Sequence, residues 1–234
     1  MRVAIIGASG GIGGALVEAM AARSEVDDIL ALSRSGNVAA HHKVRPEPID
    51  ITDEASIAAA AAAAGEVDRV IVASGILSDG ETLKPEKSWR DLNMDAFEQV
   101  FRINTFGPAL VAKHFLPLLP RKQPAIFAAL SARVGSIADN GLGGWHAYRA
   151  SKTALNMLMK NLSIELSRRN PDGICIGLHP GTVATDLSAK FRGGINHEVF
   201  TPAQSAAHLL AVLDKVEHAD TGKVFDWQGR EIPY

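Results

Sequence analysis

A glycine-rich turn, Gly7-Ala8-Ser9-Gly10-Gly11-Ile12-Gly13, follows the apolar run Val3 to Ile6 and opens a stretch with helical spacing. A strand, a tight turn and a helix in that order commit the start of the chain to a βα unit. Glycine permits the sharp turn and lets another group approach the backbone closely. The first N–H groups of the helix, with its dipole, then favour an anion at that point. The spacing is Gly7-xxx-Gly11-x-Gly13, which is not a literal GxGxxG. The strand–turn–helix setting therefore carries the reading of a nucleotide-phosphate site, with Ser9 and Ile12 inside the same turn. A purely structural glycine turn is the alternative.

The alternation continues along the chain. Ile29 to Leu32, Val44 to Ile49, Val70 to Ala73, Ala125 to Leu130, Ile174 to Leu178 and Lys223 to Phe225 read as further short strands. Pro46 and Pro48 blur the limits of the third. Helices are expected from about Gly13 to Ala22, over Glu54 to Ala64, and over roughly 93 to 119 and 147 to 170. Asp53 is placed to cap the alanine-rich helix, and Gly107-Pro108 to bend or interrupt the 93–119 one. Leu155, Leu158, Met159, Leu162 and Leu166 give the 147–170 helix an apolar face. Short apolar strands divided by helices predict an α/β fold with a mostly parallel sheet covered on both faces. No composition break divides the 234 residues, so one domain over 1–234 is expected.

Charge excludes some functions. With 24 basic and 26 acidic residues the formal charge is -2, which gives no reason to expect a nucleic-acid partner. No apolar run is long enough to span a membrane, and the opening Met1-Arg2-Val3-Ala4-Ile5-Ile6 has no secretory leader, so a cytoplasmic location is the expectation. Cys175 is the single cysteine and sits in the strand candidate Ile174 to Leu178, which makes it a core thiol. The eight histidines show no zinc spacing, so no metal is expected, and the glycine turn lacks the Gly-Lys-Ser/Thr ending of an ATP-binding loop.

The second strand ends in Leu32-Ser33-Arg34-Ser35. An acidic residue there would favour a free ribose hydroxyl, whereas Arg34 beside Ser33 suits a 2′-phosphate. NADP(H) is accordingly preferred, with NAD(H) still possible and a solvent-facing Arg34 the alternative. Asp50 and Ile51 follow the third strand and are placed beside an adenine ring, although Asp50 also fits helix preparation.

Tyr148-Arg149-Ala150-Ser151-Lys152 puts a phenol and an ammonium on one helix face. A tyrosine can give or take a proton, and a neighbouring ammonium is expected to lower its pKa. Ser131, just beyond the strand at 125–130, is placed to polarise a carbonyl oxygen or orient an alcohol. Asn104 is placed to hold a water or the Lys152 ammonium. Singly, Ser131 and Asn104 serve equally well as cap or turn residues.

These features together resemble the short-chain dehydrogenase/reductase family over essentially the whole chain. The resemblance implies a Rossmann-like, doubly wound, seven-stranded sheet and proton chemistry on Asn104, Ser131, Tyr148 and Lys152. It places cofactor contacts at Gly7, Gly11, Gly13, Ala73 and Gly75. It also reads Pro180, Gly181, Val183 and Thr185, within His179-Pro180-Gly181-Thr182-Val183-Ala184-Thr185, as a nicotinamide-binding turn. The activity implied is hydride transfer between nicotinamide and a small or medium carbonyl or alcohol. The Tyr148–Lys152 segment and Asn140 to Trp145 are similar to the C-factor-like and small carbonyl-reductase-like members, which keeps a nucleotide-binding signalling role open. A homodimer or homotetramer through the two long helices is implied as well. Ile6 and Val72-Ala73-Ser74-Gly75 depart from the family, which often has threonine at the first position and Asn-Asn-Ala-Gly at the second. Ser78 to Gly80, Val134-Gly135 and Gly141 to Trp145 are expected to wall the substrate, and Leu187 to Phe200 to form a lid or an ordinary surface loop.

Overall fold

The computed structural model describes residues 1–189 and 198–234. Seven strands form one sheet: β1 (Arg2–Ile6), β2 (Asp28–Ser33), β3 (Val44–Pro48), β4 (Arg69–Val72), β5 (Ala125–Leu130), β6 (Gly173–His179) and β7 (Val224–Asp226). Their order is β3-β2-β1-β4-β5-β6-β7, and every pairing is parallel. The doubly wound, Rossmann-like expectation is correct. Among the described residues seven α-helices accompany the sheet: α1 (Gly11–Ala21), α2 (Glu54–Ala64), α3 (Met94–Phe101), α4 (Gly107–Phe115), α5 (His146–Arg169), α6 (Asp186–Ala189) and α7 (Pro202–Leu213).

Period-two alternation along buried strands divides the core into two layers. Ala4, Ile6, Leu30, Leu32, Val70, Val72 and Phe127 pack with residues of α2, α4 and α5. Val3, Ile5, Ile29, Ala31, Ile71 and Ala128 face the other way, onto α1 and α7. Cys175 is fully buried and its sulfur lies 3.9 Å from that of Met159, which agrees with an inert core thiol. Burial pushes that thiol up to about 12.

The expected helix over 93–119 is broken. A π-helical turn, Arg102–Phe106, separates α3 from α4, and a 3-10 turn over Leu116–Leu118 ends it. Pro108 has no amide to bond the carbonyl four residues back, that of Asn104. The Gly107 amide instead donates to Arg102 O, five residues back. A widened turn of this kind rotates the side chains it carries, here Asn104.

Helix α7 has no counterpart in the periodicity reading, although its start is written locally. Thr201 accepts from the Gln204 amide at 3.2 Å, Gln204 accepts from the Thr201 amide at 2.9 Å, and Pro202 fills the first helical position. Because strand order reverses at β1 and β4, a crevice opens beyond the carboxyl ends of the strands. Gly7, Ala73, Ser131 and Pro180 each lie just past a strand end on that side.

Candidate active site

The glycine turn is tight because its neighbours leave no alternative. Gly7 has φ +87°, and a Cβ on it would stand 2.9 Å from Ser74 Oγ and 3.0 Å from the Ser74 amide nitrogen. A Cβ on Gly13 would lie 2.1 Å from Gly7 O, and one on Gly11 would lie 2.7 Å from Thr185 Cγ2. The turn after β1 and the turn after β6 are therefore neighbours across the crevice. Helix α1 has neither a side-chain cap nor an acidic residue in its first turn, which leaves its positive end available to an anion. Ser9 is exposed in this turn and Ile12 is half-buried.

Val72-Ala73-Ser74 lacks the asparagines common in the family it resembles, yet the strand end is held. The Ala73 amide donates to Ile6 O at 2.8 Å, and the Ser74 backbone closes against Gly7.

At the tip of β2, Ser33 is buried, accepting from the Gly36 amide at 3.1 Å, while Arg34 is exposed. The Asp50 carboxylate accepts from the amide and hydroxyl of Thr52 at 2.9 and 2.7 Å. Those bonds, with a smaller effect from the Arg34 charge, hold it below the usual carboxylate range. Asp53 caps α2 through the Ala55 amide at 3.0 Å, and Ile51 packs under Gly107.

Of the residues expected to form a reaction centre, Tyr148 and Lys152 occupy the first turns of α5, with Lys152 Nζ 5.8 Å from the phenol ring centroid. Lys152 is 3% exposed, and Nζ donates to Leu130 O at 2.8 Å. Burial decides the proton affinities of both groups. It pushes Tyr148 up to about 12 and Lys152 down to about 8. Contrary to the expected lowering by the ammonium, the phenol is raised, and desolvation is the cause.

Asn104 and Lys152 flank Gly75: a Cβ there would be 3.4 Å from Asn104 Oδ1 and 3.6 Å from Lys152 Nζ. The Asn104 amide is engaged elsewhere. Its oxygen accepts from the Ile76 amide at 2.8 Å, and its nitrogen donates to Ile76 O at 2.8 Å and Ser151 Oγ at 3.2 Å. Of the two expected partners, a water or the Lys152 ammonium, the ammonium donates no hydrogen bond to Asn104, whose amide holds the segment after β4.

Ser131 is buried and donates to Asn156 Oδ1 at 2.6 Å. Asn156 was not anticipated. The signal was present, since Asn156 lies four residues beyond Lys152 and eight beyond Tyr148 on one face of α5. In the turn after β6, Gly181 has φ +76° and packs on Phe200 and Trp227. Val183 is buried, and Ser205 Oγ donates to Pro180 O at 2.9 Å. Of the expected lid, Lys190 to His197 lie outside the described residues, while Phe200 packs edge-on against Trp227 at 4.6 Å.

The short-chain dehydrogenase family model matches residues 1–195, so the chain belongs to that family of oxidoreductases. Three relatives give the likeness scale. A 1-hydroxy-2-glutathionyl-2-methyl-3-butene dehydrogenase from Rhodococcus sp. (strain AD45) is 33% identical, covering 94% of each chain. C-signal from Myxococcus xanthus is 36% identical over 62% of this chain and 82% of its own. The NADPH-bound carbonyl reductase from chicken fatty liver superposes with a TM-score of 0.85 at 27% identity, covering 100% of this chain and 98% of the other. Membership brings a nicotinamide dinucleotide as cofactor. The chain fits one: a Cβ on Gly7, Gly11 or Gly13 would clash with neighbouring protein atoms, so the close turn depends on glycine, α1 has no side-chain cap, and Gly75 lies beside Lys152.

Proposed function

We propose that the chain is an NADP(H)-dependent oxidoreductase that interconverts a small or medium carbonyl compound and its alcohol, with Tyr148 as the acid and base. The observation that carries this reading is the half-buried Tyr148 phenol paired with the buried Lys152 beside Gly75, on the crevice side of the sheet shared with the glycine turn. Gly7, Ser9, Gly11, Ile12 and Gly13 would hold the pyrophosphate, Ser33 and Arg34 the 2′-phosphate, and Asp50, Ile51 and Ala73 the adenosine side, with the Gly75 backbone passing close to the cofactor beside Lys152. Asn104, Tyr148, Lys152, Pro180, Gly181, Val183 and Thr185 would border the nicotinamide half. When bound, the cofactor supplies or accepts hydride.

The protein residues handle the proton and the substrate oxygen. A phenol raised to about 12 is fully protonated near neutrality and serves as donor toward a carbonyl oxygen. Ser131, held by Asn156, accepts a hydrogen bond from an alcohol as it stands, and hydroxyl rotation would let it donate to a carbonyl. The Lys152 ammonium, anchored on Leu130 O, has further donors for ribose hydroxyls. The exposed Arg34 and the lack of an acidic residue at the β2 tip favour the phosphorylated cofactor. The NADPH in the chicken relative accords with this.

Parallel titration with NADPH and NADH, then a carbonyl and alcohol panel with the preferred cofactor, tests the reading. Tyr148→Phe should bind NADPH as wild type does and lose on the order of 100-fold or more in turnover. Wild-type turnover in that variant would remove the proton donor, and equal affinity for NADH would remove the Arg34 assignment. A second reading, nucleotide-responsive signalling with little turnover, draws on the 36% identity to C-signal. NADPH binding without activity across the panel would select it.

A further inference from the structure

Glu86 is a carboxylate with 3% exposure in the connection between β4 and α3. Among the described residues no cation pairs with it. Both its oxygens accept instead from the Ala147 amide, each at 3.3 Å. Burying an anion without a cationic partner is costly, and the positive end of a helix is the compensation available here.

Helix α5 needs an external cap. Trp145 precedes it with φ +50°, offers no side-chain cap, and follows Gly143 and Gly144, both at φ +64°. Three left-handed residues in succession are strained at the tryptophan. Two clamps hold them. The Trp145 amide donates to Glu86 O at 2.5 Å, and Arg149 Nε donates to Gly143 O and Gly144 O at 3.1 and 3.0 Å. Tyr148 is the third residue of this helix, in the turn that would fray first.

The segment that carries Glu86 is fixed at its other end too. Ile76 is bonded through both backbone groups to the Asn104 amide. Ser78 Oγ donates to Leu83 O at 2.8 Å, and the Leu83 amide donates to Asp79 Oδ1 at 2.8 Å. Leu83 and Ala147 then share a small apolar cluster with Ala96 and Val100. Residues 76–86 thus run as a tied brace from Asn104 to the start of α5.

We propose that Glu86 is a positioning residue for the reaction: by capping α5 from the 76–86 brace, it fixes the height of Tyr148 over the crevice. The inference rests on the reading of Tyr148 as proton donor. A displacement of about 1 Å at a reacting group costs on the order of 100-fold in rate, so the cap acts on turnover more than on affinity.

The test compares the full chain with Glu86→Ala, Glu86→Gln and Tyr148→Phe, using NADPH and a carbonyl substrate found by the panel. Glu86→Ala should lose at least about tenfold in kcat per folded molecule, with KM and the NADPH Kd within about threefold of wild type. Glu86→Gln keeps an acceptor for Ala147 and should recover kcat to within about threefold. Should Glu86→Ala not fold, Glu86→Asp, whose shorter carboxylate withdraws from Ala147, is read the same way. Wild-type kcat in folded Glu86→Ala or Glu86→Asp overturns the proposal, as does a loss that only tracks the unfolded fraction. Turnover retained in Tyr148→Phe would instead overturn the proton-donor reading, and the two failures are separately visible.

Discussion

Tyr148 and Lys152 share a helix face, and their surroundings move their proton affinities in opposite directions. Both shifts come from desolvation, which favours the neutral form of each. For stability the sign follows from proton counting. The unfolded chain holds the Lys152 proton up to its ordinary value of 10.5, whereas the folded chain releases it near 8. Between those values the unfolded state binds more protons, so stability rises with pH there. Wild type should therefore gain on the order of 2 kcal/mol relative to Lys152→Met between pH 7 and pH 9.5, read by urea denaturation. An unchanged difference between the two proteins would show that Lys152 is not desolvated. The Tyr148–Lys152 pairing was legible because four-residue spacing is a local property of a helix. The direction of the Tyr148 shift was not, because burial depends on what packs around it.

Among the elements, an apolar run and an alanine-rich stretch behind a cap were read with the right limits. The strand over Ala125–Leu130 and the helix over Glu54–Ala64 occur with the expected limits. Helix α7 shows the converse: its capping box in Thr201-Pro202-Ala203-Gln204 and the helical spacing of Ala206, Leu209, Leu210 and Leu213 were both present, and neither was read. Its burial against α1 settles its place. Thr201→Ala should cost about 1 kcal/mol in urea denaturation, since it removes the acceptor for the Gln204 amide. A change below the error of that measurement would mean that packing on α1 alone holds the helix. The break between α3 and α4 was anticipated from Pro108. Its form, a π turn that swings Asn104 toward Ile76, depended on the neighbours that receive the amide.

At the scale of the whole molecule, the two faces of the sheet are covered, yet α5 keeps apolar side chains outward. Met157 and Ile164, seven residues apart, are 61% and 46% exposed, and Phe106 projects from the π turn before α4. We propose a two-fold assembly through this face, in line with the homodimer or homotetramer implied by the family resemblance. Light scattering should find an oligomer for the wild-type chain and a monomer for Met157→Glu/Ile164→Lys, with NADPH binding retained. A wild-type monomer at micromolar concentration would remove the proposal. Among the described residues no helix is long and apolar enough to cross a membrane.

Local order in the chain was sufficient for the alternating architecture, the glycine turn and the Tyr148–Lys152 spacing, because each is a relation among residues a few positions apart. Packing alone decided the rest. It joined Glu86 to Ala147 across 61 positions and Ser131 to Asn156 across 25, and set Thr185 against Gly11. Those contacts join segments from different strands at one end of the sheet, and no short-range pattern encodes which segments will meet. The same distinction separates chemical identity from chemical state: the side chains come from the sequence, but the water removed around Tyr148 and Lys152 is a property of the folded surroundings.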